Sequence, residues 1–169
     1  MRRILSLFRS SSGADAGAPY AALVAEARRP EWYRDGRVED DMDGRFAVLS
    51  SLVALTILRL ERGSEEAVRG SVSLTEQFIA DMDAQMREIG FDTTIGKQVR
   101  GLVGALASRV DIWRRAQDGE EEWQAASDFS IFRDKPPCEE SATFAAERLR
   151  RFSEQLDGAD DDEVMQGKW

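Results

Sequence analysis

The amino-acid sequence predicts an all-α fold, a single-domain helical bundle of about five to seven helices. Residues with high helix propensity dominate the chain, and only four prolines occur among its 169 residues. Apolar residues recur at a spacing of about 3.6 residues in several segments, whereas the alternation typical of strands is hard to find. A chain of this length buries roughly two-thirds of its unfolded surface, which is enough for one core.

The first segment, residues 1–18, is expected to be a flexible N-terminal arm. A small basic and apolar patch precedes a stretch of Ser, Gly and Ala that holds no fixed structure on its own. The patch predicts either a frayed terminus or a weak, reversible contact with a membrane surface. Pro19 suits the first turn of a helix, which we expect to run to about Arg29 and to stop at Pro30.

An acidic cluster at residues 39–44, EDDMDG, could bind a cation or cap a helix. A calcium loop that begins at Glu39 needs a bidentate glutamate at its twelfth position, where the sequence has Ser50. A prenyl-diphosphate site would need a further carboxylate where Gly44 stands, together with a second acidic helix. We therefore expect one aspartate to cap the following helix, and the candidates are Asp40, Asp41 and Asp43.

The helix that follows is predicted over roughly residues 43–62, with Gly63 as its stop. Its apolar residues cover more than half of its circumference, so neighbouring helices should enclose it on several sides. These residues are Phe46, Val48, Leu49, Leu52, Val53, Leu55, Ile57 and Leu60. Arg45 and Arg59 are expected to project toward a common side, one helix length apart.

Residues 73–116 are predicted to form a pair of helices. Ser73 and Glu76 have the spacing of a capping box, which would start the first helix at about Leu74, and Gly90 supplies the left-handed residue that ends it. The cap of the second helix is expected among the polar residues Asp92, Thr93 and Thr94. The linker is short, so the two helices should run antiparallel.

Asp81 and Asp83 in the first helix of this pair resemble a site with two carboxylates. At 100° per residue, however, they lie on opposite flanks of the apolar stripe and cannot easily share one ion. Asp83 and Arg87 are spaced i,i+4 with the acid first, which is a pairing that supports a helix. The pattern leaves open whether these acids are structural or face a partner.

Small residues form a smooth strip on the second helix of the pair, with Lys97 and Arg115 on the same side. The strip contains Gly101, Gly104, Ala105 and Ser108. Glycine inside a helix costs about 1 kcal/mol relative to alanine, so a packing or functional reason is expected. Either another helix of the same domain approaches closely there, or a foreign helix docks on the strip.

The remaining chain is predicted to complete one helical domain over residues 19–157. A short helix is expected around Trp123, and a last helix begins at Glu139, with apolar residues inward and charged residues outward. Residues 158–169 contain four consecutive acids and are expected to form a disordered, solvated tail.

Several classes of chemistry lack the residues that they need. The chain contains no histidine and one cysteine, Cys138, and it has no Gly-rich phosphate loop of the Walker type. We therefore expect no enzymatic activity, no metal and no cofactor. A net charge of −9 argues against direct readout of nucleic acid, since phosphate binding needs basic surface.

The expected location is the reducing cytoplasm. A single cysteine forms no disulfide within the chain. The longest uncharged apolar run, residues 46–58, is shorter than the roughly 20 residues that cross a bilayer. The apolar stretch at residues 4–8 is also shorter than the roughly 7 to 15 residues in the core of a signal peptide.

Four groups of residues, taken in order, carry a resemblance to a known family. They are Asp43-Gly44-Arg45-Phe46 with Leu58-Arg59-Leu60, Phe78 with Asp81-Met82-Asp83, Met86-Arg87-Glu88-Ile89-Gly90, and Ile95-Gly96-Lys97 with Val99-Arg100. In this order they resemble the ubiquinol-cytochrome c chaperone family, the assembly factors of the cytochrome bc1 complex. The similarity spans roughly residues 32–113 and continues more weakly through the last helix.

The resemblance implies a helical, non-enzymatic assembly chaperone that binds newly made cytochrome b, a hydrophobic protein client. Mitochondrial members act with a small partner subunit at the ribosome. Because the chain has no mitochondrial-type transit sequence, we expect a bacterial member, cytoplasmic and peripheral to the inner membrane, in possible contact with the ribosome or the membrane surface. No small-molecule substrate is expected. The alternative is a membrane-peripheral helical adaptor for another membrane complex.

The resemblance and the helical wheels together nominate ten residues for the client surface. They are Arg45, Phe46, Arg59, Asp81, Asp83, Arg87, Lys97, Arg100, Gly101 and Gly104. The basic and acidic members would frame the client, and the glycines would allow its close approach.

Overall fold

The structure is a computed structural model that describes residues 17–90 and 95–169, and within these residues it contains helices and no strand. The helices are α1 (Ala18–Ala27), α2 (Glu31–Arg34), α3 (Met42–Glu61), α4 (Glu65–Glu88), α5 (Ile95–Gln117), α6 (Trp123–Phe132), α7 (Glu139–Gly158) and α8 (Asp161–Met165). The predicted all-α bundle is confirmed. Residues 1–16 of the predicted arm and the predicted cap at 92–94 lie outside the described residues.

Helix α3 is the centre of the bundle. Asp41 caps it, because its side chain accepts a hydrogen bond of 2.8 Å from the backbone N–H of Gly44. Fifteen of its twenty residues are buried, and α1, α4, α5, α6, α7 and α8 all pack against it. Its buried hydroxyls donate to backbone carbonyls one turn earlier, as in the 2.9 Å bond from Thr56 to Leu52. The helix therefore fits the predicted enclosure on several sides.

Helix α4 starts nine residues before the predicted position. Its cap is Ser64, whose hydroxyl accepts a hydrogen bond of 3.2 Å from the N–H of Ala67. Ser73 lies exposed in the middle of the helix, so the predicted capping box at Ser73 and Glu76 is wrong. Gly70 lies inside α4, where glycine usually has a packing reason. An alanine β-carbon at this position would lie 3.3 Å from the sulfur of Met165 in α8, so the glycine lets α8 pack closely against α4.

The end of α4 agrees with the sequence pattern. Gly90 has a φ of +84°, the left-handed conformation that closes a helix at low cost for glycine. Leu74, Phe78 and Met82 face the core and are almost fully buried, whereas Ile89 at the end of the stripe is exposed. The apolar stripe therefore holds the body of α4 against α3, while its last turn extends beyond the core.

The last twelve residues, 158–169, are ordered into the bundle, which corrects the prediction of a disordered acidic tail. Asp160 caps α8 and forms a reciprocal capping box with Glu163. Val164 is fully buried, and Trp169 packs edge-on against Phe152 with ring centroids 5.8 Å apart. The acidic run lies at the positive end of a helix, where carboxylates are stabilised, and this explains how so acidic a segment folds.

Candidate functional site

Arg45 lies inside the domain and does not face solvent. Its side chain is 9% exposed, and its guanidinium forms an ion pair of 2.6 Å with Asp40. The guanidinium also lies 5.9 Å from the ring centre of Tyr33. Phe46, one residue later, is half-buried and packs against Phe78 at 5.7 Å. Both residues therefore stabilise the start of α3.

Arg59 fastens the C-terminal segment to α3. Its guanidinium donates to the carbonyls of Leu156 and Ala159 at 3.0 and 2.7 Å, and it pairs with Asp161 at 2.8 Å. The carbonyl of Leu156 belongs to the last turn of α7, where a cation is favoured by the helix dipole. With these three partners, Arg59 is not available to a client at an open surface.

The two aspartates of α4 are engaged separately. Asp81 accepts hydrogen bonds from the Tyr20 hydroxyl at 2.6 Å and from the Gln85 amide at 2.9 Å, so it joins α4 to α1. Burial, together with the nearby Asp81 carboxylate, raises the pKa of Tyr20 well above its usual range and keeps it a donor. Asp83 pairs with Arg87 at 2.7 Å, one turn along the helix.

The outward side of α5 is uncovered. We define the α5 face by its exposed residues Lys97, Arg100, Gly101, Gly104 and Ser108. No atom outside the helix lies within 4 Å of the position that a β-carbon would take at Gly101 or Gly104. Among the described residues, then, no helix of the domain packs on the small residues. Of the two predicted explanations, close packing by another helix is wrong for residues 17–90 and 95–169, and docking by a partner stays a prediction.

Basic residues lie at one end of the α5 face. Lys97 and Arg100 form no ion pair with another described residue. Arg87 lies in the last turn of α4, which packs against α5, and it is half exposed despite its pair with Asp83. Val103 on the flank of the face is 48% exposed. The arrangement offers a smooth helical surface, partly apolar, with cations at the N-terminal end of α5 and the C-terminal end of α4.

A cavity of about 550 Å³ opens on another side of α5, between that helix, α3 and α6. Arg109 lines it and is 9% exposed. Its guanidinium lies 5.3 Å from the ring centre of Phe46 and donates to the carbonyls of Ala105 and Ser130 at 3.2 and 2.9 Å. Burial, with a smaller contribution from Arg133, lowers the pKa of Arg109 to about 10, so it remains a cation near neutral pH.

Arg109 is not among the ten residues that were predicted for the client surface. The signal that could have found it is its place in the inward stripe of α5, between Leu106 and Trp113. Both neighbours in that stripe are buried hydrophobic residues, so an arginine at the same face must itself be buried. Buried arginines are rare unless they are paired, which makes such a position informative.

No cluster of acidic or cysteine side chains in residues 17–90 and 95–169 is arranged to hold a metal ion. Across the same part of the chain, no helix combines the length and the apolar character needed to span a bilayer.

Compared with models of protein families, residues 34–169 match the model described as Ubiquinol-cytochrome C chaperone. Neither the curated proteins nor the solved structures gave a significant match. The matched region contains α3 to α8 and every residue of the α5 face. Because the match covers most of the chain, the protein belongs to the ubiquinol-cytochrome C chaperone family.

Proposed function

We propose that the protein holds newly made cytochrome b at its α5 face during assembly of the cytochrome bc1 complex. Membership of the family supports a role as a bc1 assembly chaperone. The observation that carries the choice of surface is the exposure of Gly101 and Gly104 in the middle of a helix, with nothing packed against them. Exposed glycine weakens a helix, so its presence here favours a requirement for close approach.

The chemistry of the α5 face fits a helical, hydrophobic client. Small residues let two helix backbones approach closely, which increases the dispersion contacts between them. The nearby cations Arg87, Lys97 and Arg100 can bind the carbonyl end of a client helix or an acidic loop beside it. Contact through one helix face buries little area, which suits a chaperone that must release its client.

The remaining predicted site residues are divided by their contacts. Arg45, Arg59 and Asp81 have partners inside the domain, so we leave them out of the client surface. Phe46 belongs to the wall of the cavity beside α5. Asp83 is retained only as the residue that orients Arg87.

We infer that the protein acts by binding and without catalysis. The chain has no histidine, the most usual general base, and Asp83 beside the α5 face is paired with Arg87. We also propose that the protein works at the cytoplasmic face of a bacterial inner membrane, where a membrane-protein client emerges. The basic and apolar patch within residues 1–10 would add a weak membrane contact.

The experiment compares charge reversals on the α5 face with a matched reversal elsewhere. A strain that lacks the protein is complemented with wild type, with Lys97→Glu plus Arg100→Glu, or with Arg151→Glu. Arg151 is an exposed arginine of α7, paired with Glu147 on its own helix. The readouts are the newly labelled cytochrome b that co-purifies with each variant and the amount of mature bc1 complex.

We expect the double reversal to lose most of the co-purified cytochrome b and most of the mature complex, while Arg151→Glu behaves as wild type. Equal capture by all three proteins would remove the α5 face from the site. Normal levels of bc1 complex in the deletion strain, with a defect in a different membrane complex, would overturn the proposed function as a whole. Deletion of residues 1–10 tests the membrane contact separately.

A further inference from the structure

The cavity between α3, α5 and α6 has a feature that the chaperone role does not use, a buried arginine with no carboxylate partner. We propose that this cavity binds a carboxylate attached to an aromatic or branched apolar group, with Arg109 as the residue that binds the carboxylate. The hydrogen bonds of Arg109, the aromatic wall around it and the charges that line the cavity support this binding, which does not involve cytochrome b.

The guanidinium of Arg109 is incompletely satisfied. It donates to two neutral carbonyls, those of Ala105 and Ser130, and its Nε has no hydrogen-bond partner among the described residues. No described carboxylate lies within ion-pair distance of it. A buried charge normally has a partner of opposite sign, since burial without one is costly. Because Nε has almost no accessible surface, an anion in the cavity would meet the terminal N–H groups of the guanidinium and supply the opposite charge there.

The wall beside Arg109 is aromatic. Phe46 stacks against the guanidinium, and Phe129 and Phe132 of α6 line the same cavity. A guanidinium that stacks on a ring directs its N–H groups outward in its own plane, where they can meet a carboxylate. The volume of about 550 Å³ is that of a site for a small organic ligand. An apolar body next to a carboxylate therefore matches the lining.

The charges that line the cavity also favour an anion. Four basic residues line it against three acidic ones, although the whole chain carries a net charge of −9. The basic residues are Arg37, Arg109, Arg133 and Lys135, and the acidic ones are Glu39, Asp43 and Asp134. Asp43 is already paired with Arg133 at 3.4 Å, and only the basic set contributes a buried side chain. The lining thus carries one more positive than negative charge, in contrast to the acidic chain as a whole.

The end of α6 forms part of the rim of the cavity. Arg133 and Asp134 have φ values of 52° and 62°, and their N–H groups donate to the carbonyls of Phe129 and Asp128 at 3.2 and 3.0 Å. This left-handed conformation is a common way for a helix to end. The rim is therefore fixed by the same backbone hydrogen bonds that end α6.

A purely structural role for Arg109 makes a different prediction. The Ser130 carbonyl lies in the last turn of α6, so Arg109 also stabilises the negative end of that helix. If that were its only role, replacing Arg109 would change the stability of the protein, and the cavity would bind no ligand in wild type or variant. The test must therefore include a variant that blocks the cavity and keeps Arg109. Ala105→Phe does this, since Ala105 lines the cavity and is only partly buried.

The experiment titrates the full chain with 4-phenylbutyrate, its neutral amide and inorganic phosphate at pH 7, followed by calorimetry and by amide chemical shifts. A second arm uses the tripeptide Gly-Gly-Phe with a free or an amidated carboxyl end, which distinguishes a free small molecule from a polypeptide end. The proteins are wild type, Arg109→Gln, Ala105→Phe and the control Arg115→Gln. Arg115 is a half-exposed arginine of α5, paired with Glu121.

We expect saturable binding of a carboxylate. The affinity for the matching amide should be at least about tenfold lower, because the charge-assisted hydrogen bonds are lost. Arg109→Gln and Ala105→Phe should abolish it, and Arg115→Gln should not. Shifts should concentrate at residues 105–109 and 129–134. Equal binding of acid and amide, binding that survives Ala105→Phe, binding of phosphate alone, or no saturable binding of either carboxylate would overturn the proposal.

Discussion

At the scale of single residues, Arg59 connects the middle of the chain to its end. It is 14% exposed and holds two carbonyls, those of Leu156 and Ala159, as well as the Asp161 carboxylate. Arg62, one turn later, makes a similar-looking pair with Asp157, but both of those side chains are half exposed. The two arginines therefore differ in their expected contribution to stability, because an exposed ion pair contributes little.

We therefore predict that Arg59→Met lowers the free energy of unfolding by about 2 to 4 kcal/mol, since it leaves carbonyl groups without a charged donor. Urea denaturation followed by circular dichroism measures this. The matched control, Arg62→Met, should cost less than about 1 kcal/mol. Equal losses in the two variants would show that Arg59 does not anchor the C-terminal segment.

The same contact predicts a dependence on pH. The Ser64 N–H and the Arg59 guanidinium hold the pKa of Asp161 below its ordinary value of 3.8. A carboxyl group whose pKa is lower in the folded state stabilises the protein above about pH 4, and this contribution is lost as the pH falls through the folded value.

Asp161→Asn should therefore be less stable than wild type at pH 6, and the difference should shrink as the pH falls below about 4. Urea midpoints for both proteins across this range provide the measurement. Other carboxyls with lowered pKa, such as Asp35 and Glu140, are common to both proteins and cancel in the difference. A difference that stays constant with pH would contradict the assignment.

At the scale of helices, α5 combines two faces with different contacts. Leu102, Leu106 and Trp113 bury one face against the bundle, while the α5 face stays open. The glycines of that face keep φ values in the ordinary range, so neither is required by the backbone. A larger residue at these positions should therefore be compatible with the fold and should weaken only the binding of a partner.

We predict that Gly101→Leu and Gly104→Leu raise the free energy of unfolding by up to about 1 kcal/mol, because leucine is the better helix former. Both should nevertheless lose most of the captured cytochrome b, since the side chain holds a client helix away. Gly158→Leu at the end of α7 is the control, as its β-carbon position is also open. Stable variants with full capture would show that close approach is not needed there.

The helices that were predicted well are those whose signals are local. The bounds of α3 follow from its Asp41 cap and dense apolar periodicity, and those of α7 follow from periodicity, so both helices start close to the predicted positions. The start of α4 was missed, because a serine three residues before a glutamate fits a helix interior as well as a cap. The Ser64 N–H also donates a hydrogen bond to Asp161, which lies 97 residues away in the sequence. No local sequence pattern reveals such a contact.

At the scale of the whole molecule, long-range packing decides what the sequence pattern could not. The acidic composition of residues 158–169 predicted solvation, yet Val164 is buried and Asp161 is bound by Arg59. Long-range packing also decides which of the ten predicted site residues are exposed and which are internal. The exposed members of α5 stay on the proposed surface, while Arg45, Arg59 and Asp81 form internal contacts that depend on distant partners.

The resulting molecule has two separate features on one helix. The α5 face is open, lined by small residues and basic at one end, and the cavity beside Arg109 is partly open and has an aromatic wall. Ser108 belongs to the first and also lines the second, so the two are adjacent. Substitutions on the α5 face test the chaperone role, whereas Arg109 and Ala105 test the cavity.

The most direct test of the central claim is site-specific photo-crosslinking during synthesis of cytochrome b. A photoreactive residue is placed at position 101 or 104 of the α5 face, or at the control position 151, where the native side chain is 75% exposed on α7. Crosslinks to newly made cytochrome b should form from 101 and 104 and be absent or weak from 151. Equal yields from all three positions, or none from α5, would contradict the account.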